Sequence, residues 1–188
     1  MTFAKLPQWH VYDDTGRRKY LTGEERHRFL AEVAHLPLTQ RVLCCVLVFT
    51  GCRISEALGV TADHVDVERG TLTLQTLKRR KVTFRTVLIP PELIAMLQRL
   101  AGDGAERFWE VHRTTAWRWI KRVMAEVRIA GPMACCRGLR HGFGMRAAIC
   151  RLPLNLIQRL MGHASPTTTL VYIDAAGEEE HAFVRRMW

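Results

Sequence analysis

The sequence has no apolar run long enough to cross a lipid bilayer. Its longest apolar run, Val42 to Phe49, is far shorter than the roughly 20 residues of a membrane-spanning helix. The N-terminal stretch MTFAKLPQWHVYDD has no charged start followed by an apolar core, which argues against a signal peptide. We therefore expect a cytoplasmic protein without membrane contact.

Metal-binding patterns are also missing. No two cysteines form a Cys-x-x-Cys pair, which argues against a zinc site, and no carboxylate cluster suited to magnesium is present. Most cysteines lie in apolar runs, as reduced and buried thiols do. They are Cys44, Cys45, Cys52, Cys135, Cys136 and Cys150. We expect neither a metal nor another cofactor.

Acidic residues are too few to balance the basic ones. The chain of 188 residues carries 28 Lys and Arg against 18 Asp and Glu, a net charge of +10. Such a surplus on a small domain favours a polyanionic partner, with nucleic acid as the first candidate. A basic surface that serves only solubility is the alternative. The hydrophobic fraction of 48% is sufficient for a folded core.

Hydrophobic periodicity predicts a mainly α-helical protein with one small three-stranded antiparallel sheet. Thr22 and Glu25 have the spacing of a helix capping box, whereas VLCCVLVF fits either a buried helix or a strand. Alternation with period two in HVDVERGTLTLQT and KVTFRTVLIP predicts a hairpin and a third strand. The predicted divisions are an N-terminal arm or linker at 1–20, one domain at 21–175 and a C-terminal helix at 176–188.

Five reactive side chains are predicted at helix ends or at a hairpin tip, where they can reach out of the core. Two arginines, a lysine, a histidine and a tyrosine suit the attack of a tyrosine hydroxyl on a phosphodiester. Guanidinium groups bind phosphate oxygens in pairs, histidine and lysine can move protons, and tyrosine can be the nucleophile. The five are Arg53, Lys78, Arg140, His163 and Tyr172.

Three motifs resemble those of the tyrosine recombinase (phage integrase) family. TGCRISEAL resembles its first arginine motif, GLRHGFG its second, and LMGHASPTTTLVY the Leu-Gly-His box followed by the nucleophilic tyrosine. The spacings agree, since the histidine lies 23 residues after the second arginine and 9 before the tyrosine, and the lysine lies 25 after the first arginine. The resemblance extends from about Tyr20 to about Asp174.

This resemblance implies the integrase catalytic-domain fold over 21–175 and site-specific recombination of double-stranded DNA. Tyr172 would attack a DNA phosphate to form a 3′-phosphotyrosyl bond, with Lys78 as the general acid. Arg53, Arg140 and His163 would hold the phosphate. Strand exchange through a Holliday junction, in a homotetramer on DNA, would then complete integration, inversion or resolution without ATP or metal.

The first motif comes as early as Arg53, which leaves no room in this sequence for the N-terminal DNA clamp of larger family members. The sequence therefore resembles single-domain members, such as fimbrial DNA invertases and plasmid-borne integrases. We expect weak intrinsic DNA affinity and reliance on protomer contacts or accessory DNA-binding proteins, on nucleoid or plasmid DNA. The helix at 176–188, with Phe183 and Trp188, is predicted to dock on a neighbouring protomer.

One position departs from the family pattern. Arg137 lies three residues before the second arginine, where the family normally has histidine. Arginine binds phosphate but cannot accept a proton near neutral pH. Phosphate binding is the favoured prediction, and a lost base or a surface cation without a role are the alternatives. Glu56 is expected to pair with an active-site cation, and His141 to order a helix start or support Arg140.

Contacts with DNA are predicted at the hairpin tip and along the helix TTAWRWIKRVM. Lys81 rivals Lys78 as the general acid, because loop insertions shift this position. The helix would lie along a groove and bind through its polar side chains. The predicted DNA-contacting residues are Arg79, Arg80, Lys81, Thr114, Thr115, Arg118, Lys121 and Arg122.

Two other functions fit much of the same pattern. A type IB topoisomerase uses nearly the same residues and would relax supercoils without needing a specific site. The non-enzymatic alternative is a site-specific DNA-binding protein with a weakened catalytic set. The observation that favours it is Arg137, which stands where the family normally has histidine. The short length and the Leu-Gly-His box favour the recombinase.

Overall fold

The structure is a computed structural model that describes residues 10–76, 82–102 and 107–175. Within these ranges it has eight α-helices, one 3-10 turn (Ala62–His64) and one sheet. None of the helices described has both the length and the apolar content that a bilayer-spanning helix requires. The predicted C-terminal helix at 176–188 lies outside the described residues. The α-helices are α1 (Gly23–Val33), α2 (Leu38–Thr50), α3 (Ile54–Ala57), α4 (Pro91–Ala101), α5 (Arg113–Glu126), α6 (Cys136–Ile149), α7 (Leu154–Met161) and α8 (Thr167–Ala175).

The sheet has three antiparallel strands in the order β1-β2-β3: β1 (Val65–Asp66), β2 (Thr71–Thr76) and β3 (Thr83–Leu88). Its register places Leu72 opposite Val87 and Leu74 opposite Arg85. All four of these residues are buried, so the inner face of the sheet carries one cation among apolar side chains. A mainly helical chain with this sheet confirms the predicted fold class.

Helix α2 occupies the centre of the larger hydrophobic core. The run VLCCVLVF, which fitted either a helix or a strand, is helical, and its residues 42–48 are all buried. The helix packs against α1, α4 and α6, and a helix covered on several sides is expected to be apolar around most of its circumference. It ends at Gly51, whose φ of 60° is the left-handed conformation that glycine adopts at helix ends.

The capping box predicted for α1 is confirmed. The Thr22 hydroxyl accepts a hydrogen bond from the backbone N–H of Glu25 at 3.2 Å, and the Glu25 carboxylate accepts one from the Thr22 N–H at 3.0 Å. Arg18 donates from both terminal nitrogens to the same carboxylate, at 2.6 and 2.5 Å. The start of α1 is thereby tied to the chain segment that precedes it.

Residues 10–20, which the sequence suggested to be part of an arm or linker, pack onto the domain. Some of their polar side chains bond locally, as in the ion pair of Arg17 with Asp13, whereas Val11 and Tyr20 are buried. These two residues belong to a second hydrophobic cluster. Its remaining buried members are Met145, Ala147, Ile157, Met161 and Tyr172.

A close approach of two backbone segments at Gly138 is expected to make this glycine essential to the packing of α6. A Cβ atom at residue 138 would overlap the carbonyl group of Met133, so Gly138→Ala forces the backbone apart. We expect a loss of about 1–3 kcal/mol in the free energy of unfolding, measured by thermal or urea denaturation. Gly23→Ala is the matched control, because a Cβ there meets nothing within 4 Å. Equal stability of the two variants would contradict this packing.

Candidate active site

A single cleft of about 560 Å³ brings together residues from all three sequence motifs. Arg53 reaches it from the start of α3, Arg140 from α6, and His163 from the loop between α7 and α8. Tyr172 of α8 and Arg137 of α6 also line the cleft. Five of the six residues predicted to be catalytic therefore share one cavity. The sixth, Lys78, lies outside the described residues. So do the three other cations predicted at the hairpin tip: Arg79, Arg80 and Lys81.

Arg140 is buried and held at two points. Its Nη1 donates to the carbonyl oxygen of Gly51, and its Nη2 donates to that of Met161, both at 2.7 Å. Burial, together with the charge of Arg53, lowers the pKa of Arg140 to about 10, so the group stays charged near neutral pH. A guanidinium has five N–H donors, and this side chain therefore has further donors with which to bind an anion in the cleft.

Glu56 is a buried carboxylate that binds two arginines. Its Oε1 accepts a hydrogen bond from Nη1 of Arg53 at 2.7 Å, and its Oε2 accepts one from Nη2 of Arg85, also at 2.7 Å. Burial acts to raise the pKa of Glu56, but the hydrogen bonds and charges of the two arginines outweigh burial and hold this pKa below its ordinary value. Glu56 therefore pairs with a cleft cation, as the sequence led us to expect.

Arg85 is a site residue that the motifs do not identify. Besides Glu56, it donates from Nε to the carbonyl of Leu160 at 2.8 Å and from Nη1 to the Thr76 hydroxyl at 2.9 Å. It also lies so close to Gly162 that a Cβ there would come within 2.9 Å of Nη1. The sequence does carry one signal for Arg85: it is a cation at an inward position of a predicted strand, and a buried cation requires a partner.

Tyr172 lies inside the cleft with only 1% of its surface exposed. Its hydroxyl is 3.0 Å from Nδ1 of His141, and its ring stacks on His163 at an interplanar angle of 14°. The opposite helix passes the ring at Gly144, where a Cβ would come within 2.7 Å of it. Burial raises the pKa of Tyr172 to about 12, although Arg140 and Arg53 act to lower it. The hydroxyl is therefore protonated.

Both histidines of the cleft are electrically neutral near pH 7. Burial, followed by the charges of Arg140 and Arg53, lowers the pKa of His163 to about 3. The pKa of His141 also falls to about 3, through burial and the charges of Arg140 and Arg137. His163 shares a hydrogen bond with the Thr169 hydroxyl at 2.9 Å through Nδ1. The Nδ1 of His141 contacts the Tyr172 hydroxyl, and its role in ordering a helix start or supporting Arg140 stays a prediction.

Arg137 is exposed on the wall of the cleft. Within 10–76, 82–102 and 107–175, no side chain forms a hydrogen bond or ion pair with it. Arg113, at the start of α5, is a second exposed cation on this wall. No motif identified it, although its place one residue before the predicted contacts Thr114 and Thr115 was a signal.

The residues predicted to contact DNA along α5 occupy different environments. Thr114, Arg118 and Arg122 are exposed, and Thr115 is half-buried. Lys121 is also half-buried, and its Nζ donates to the carbonyl of Ala134 at 2.9 Å. The helix faces the cleft through Arg113 and Trp117, and 43% of the Trp117 surface is exposed.

No group of three or more histidine, cysteine, aspartate or glutamate side chains is arranged to hold a metal in the described part of the chain. The cleft instead presents arginines and neutral hydrogen-bonding groups. Such a set binds the oxygens of a phosphate group, and it places a tyrosine hydroxyl beside them.

Comparisons with known proteins identify relatives of this chain. The model of the phage integrase family matches residues 19–179. The tyrosine recombinase XerA of Pyrococcus furiosus is 30% identical over 166 residues, which are 82% of this chain and 56% of that protein. The chain thus spans about half the length of the curated relatives it matches.

Solved structures resemble the fold. The crystal structure of XerA recombinase aligns with a TM-score of 0.74 at 23% identity, covering 88% of this chain and 65% of that one. A structure of XerH site-specific recombinase, bound to a palindromic difH substrate after cleavage, aligns with a TM-score of 0.74 at 20% identity, covering 93% and 62%.

The carboxylate of Glu56 is expected to dominate the acid sensitivity of this site. Glu56→Gln removes the charge that compensates Arg85, and we expect a loss of about 3–5 kcal/mol in the free energy of unfolding at pH 7. Because the pKa of Glu56 is lowered by folding, its stabilisation exists above the unfolded-state pKa and is lost as pH falls through the folded-state value. The difference in the free energy of unfolding between wild type and Glu56→Gln should therefore become smaller at acidic pH.

Urea denaturation of both proteins between pH 3 and pH 8 measures this difference. Glu68→Gln is the matched control, since Glu68 is exposed in the turn between β1 and β2. A difference that stays constant across this pH range would show that the ion pairs of Glu56 do not stabilise the fold.

Proposed function

Since the chain belongs to the phage integrase family, we propose that it is the catalytic domain of a tyrosine recombinase that breaks and rejoins double-stranded DNA at specific sites. The observation that carries this proposal is the Tyr172 hydroxyl in one cleft with Arg53, Arg140 and His163. A nucleophile beside phosphate-binding cations is the minimum set for a transfer of this kind. XerH, whose fold is similar, is a site-specific recombinase that was crystallised on its DNA substrate after cleavage.

The proposed reaction begins with attack of the Tyr172 oxygen on a DNA phosphorus atom. The new O–P bond forms as the bond from phosphorus to the 5′ oxygen breaks, and the leaving oxygen takes a proton from the general acid. We assign that acid to Lys78, on its motif spacing. The 5′ hydroxyl of a partner strand then attacks the phosphotyrosine, so the energy of the broken bond is kept and neither ATP nor a metal is required.

Arg53 and Arg140 fit the task of stabilising the phosphate during this attack. The negative charge on its non-bridging oxygens is greatest in the transition state, where prepositioned donors contribute most to the rate. Arg140 is held by two backbone carbonyls and Arg53 by Glu56, so neither needs to reorganise. His163, neutral and hydrogen-bonded to Thr169, supplies a further donor to an oxygen of the phosphate.

Exposed cations on the cleft wall and along α5 would bind the DNA backbone around the cleaved phosphate. Arg113 and Arg137 line the cleft, while Arg118 and Arg122 are exposed further along α5. Contacts of this kind position the duplex without reading its sequence. We further propose a homotetramer on DNA, with accessory DNA-binding proteins, acting in the cytoplasm on nucleoid or plasmid DNA.

Covalent capture of DNA tests the proposed function. The substrate is a nicked duplex that carries the junction of the element encoding the chain, so that the cleaved end diffuses away and the protein remains attached. We expect a covalent adduct with the wild-type protein and none with Tyr172→Phe, because the nucleophilic oxygen is missing. Denaturing gel electrophoresis measures the adduct, and a scrambled duplex of equal length is the control.

The three candidate functions give different results in this experiment. An adduct that needs both Tyr172 and the junction sequence supports the recombinase. An adduct of equal yield on the scrambled duplex supports topoisomerase chemistry. No adduct on any duplex, with DNA binding retained, supports a DNA-binding protein without catalysis.

Arg137 is expected to bind phosphate in place of the usual histidine. Arg137→Ala removes a cation that lines the cleft, and we expect the rate of adduct formation to fall by roughly 10²-fold, measured on the same nicked duplex. Arg146→Ala is the matched control, because Arg146 is an exposed cation on the same helix but does not line the cleft. Equal rates for the two variants would make Arg137 a surface cation. A faster Arg137→His variant would show that arginine limits the reaction.

A further inference from the structure

We infer that His141 is the general base that accepts the proton of Tyr172, an inference that rests on the proposed function. Attack by a tyrosine hydroxyl requires the loss of its proton, and the position at which the family normally has a histidine is occupied by Arg137. Arginine cannot accept a proton near neutral pH. The acceptor must therefore be another group close to the Tyr172 oxygen.

The geometry places His141 at that oxygen. Its Nδ1 lies 3.0 Å from the Tyr172 hydroxyl, within the range for direct proton transfer. Both side chains are buried, at 5% and 1% exposure, so bulk water does not compete for the proton. The contact joins α6 to α8, and the tyrosine ring packs directly against Gly144 one turn further along α6. The donor and the acceptor are thereby held in register.

The other groups of the cleft are engaged in different tasks. The ring of His163 lies nearly parallel to that of Tyr172, with the ring centroids 6.2 Å apart, and its Nδ1 shares a hydrogen bond with the hydroxyl of Thr169. The carboxylate of Glu56 accepts hydrogen bonds from two arginines, which lowers its basicity. Among the described residues, His141 is the neutral nitrogen base in hydrogen-bond contact with the hydroxyl.

The proton balance can be followed atom by atom. When Nδ1 accepts from the hydroxyl, the proton of the neutral imidazole resides on Nε2, which is buried and has no hydrogen-bond partner among the described residues. As the O–P bond forms, the Tyr172 proton passes to Nδ1 and His141 becomes an imidazolium. The rejoining step reverses this transfer, because the departing tyrosine oxygen takes the proton back.

A bound phosphate would increase the basicity of this histidine. Burial is the largest cause of the lowered pKa of His141, and the charges of nearby cations lower this pKa further. A DNA phosphate in the cleft would offset the charges of the two cations on α6, so that protonation of His141 becomes less costly. The base is then strongest when the substrate is in place. The charged and titratable groups that face it are Arg137 and Arg140 on α6, Lys19 before α1, His163 before α8 and Tyr172 on α8.

His141→Gln separates proton transfer from simple positioning, since an amide can hydrogen-bond to the hydroxyl but cannot take its proton. On the nicked duplex we expect adduct formation to be about 10²-fold slower than in wild type at pH 7, with DNA binding unchanged. The variant rate should rise about tenfold per pH unit, because it depends on the tyrosinate fraction, while the wild-type rate stays flat between pH 7 and pH 9. Imidazole should restore part of the rate in His141→Ala.

His27→Gln is the control, since His27 is an exposed histidine on α1, and thermal unfolding verifies the fold of each variant. If His141→Gln does not fold, His141→Asn replaces it. A His141→Gln rate equal to wild type, or a variant pH profile as flat as that of wild type, overturns the assignment. A faster variant would show that the contact restrains the tyrosine. These results are distinct from failure of the proposed function, in which wild type itself forms no adduct that depends on Tyr172.

Discussion

The buried carboxylate of Glu56 is the interaction on which the site depends. One negative charge, 2% exposed, is bonded to Arg53 at the cleft and to Arg85 inside the sheet. Through Arg85 the same network reaches Leu160 at the end of α7 and Thr76 at the end of β2. Buried charges are tolerated only when paired and hydrogen-bonded. The start of α3, strand β3 and the end of α7 are thus connected through Glu56 and Arg85. This network fixes the position of Arg53 in the cleft.

The electrostatic character of the cleft follows from how its charges are distributed. Arg53 and Arg140 are held by protein groups, whereas the histidines of the cleft are neutral and its tyrosine is protonated. Net positive charge in a partly desolvated cavity is costly without an anion. Binding of a phosphate therefore removes an existing repulsion in addition to forming new hydrogen bonds. It also changes the proton affinities of the groups that must act next.

Much of the fold could be predicted from the sequence because its signals are local. The capping box of α1 and the alternation in β2 and β3 depend on neighbours in the chain, and both are found in the structure. The run VLCCVLVF could not be assigned, because a helix covered by three others has no polar face to mark its period. Residues 10–20 belong to the predicted arm or linker, a prediction that rests on their polar and basic composition. In the structure Arg17 pairs with Asp13 and Arg18 pairs with Glu25 of α1, contacts that the composition does not reveal.

The candidate site was predictable only as far as its motifs extend. Arg53, Arg140, His163 and Tyr172 were identified by spacing and resemblance, and they meet in one cleft. The inward position of Arg85 in its strand indicates that it needs a buried partner, but the identity of that partner could not be predicted because Glu56 lies 29 residues away along the chain. The contact of His141 with Tyr172 could likewise not be predicted, since Tyr172 lies 31 positions further along the chain, in another helix.

The two carbonyls bound by Arg140 belong to helix ends. Gly51 is the C-cap of α2, and Met161 is the last residue of α7, so the guanidinium neutralises the negative ends of two helix dipoles at once. The guanidinium of Arg140, which would bind substrate, therefore also connects the two hydrophobic clusters. A mutation that removes Arg140 is therefore expected to lower the stability of the fold as well as to remove a phosphate-binding group. Decay of such a sequence into a folded but inert DNA-binding protein is thus expected to proceed through other positions first.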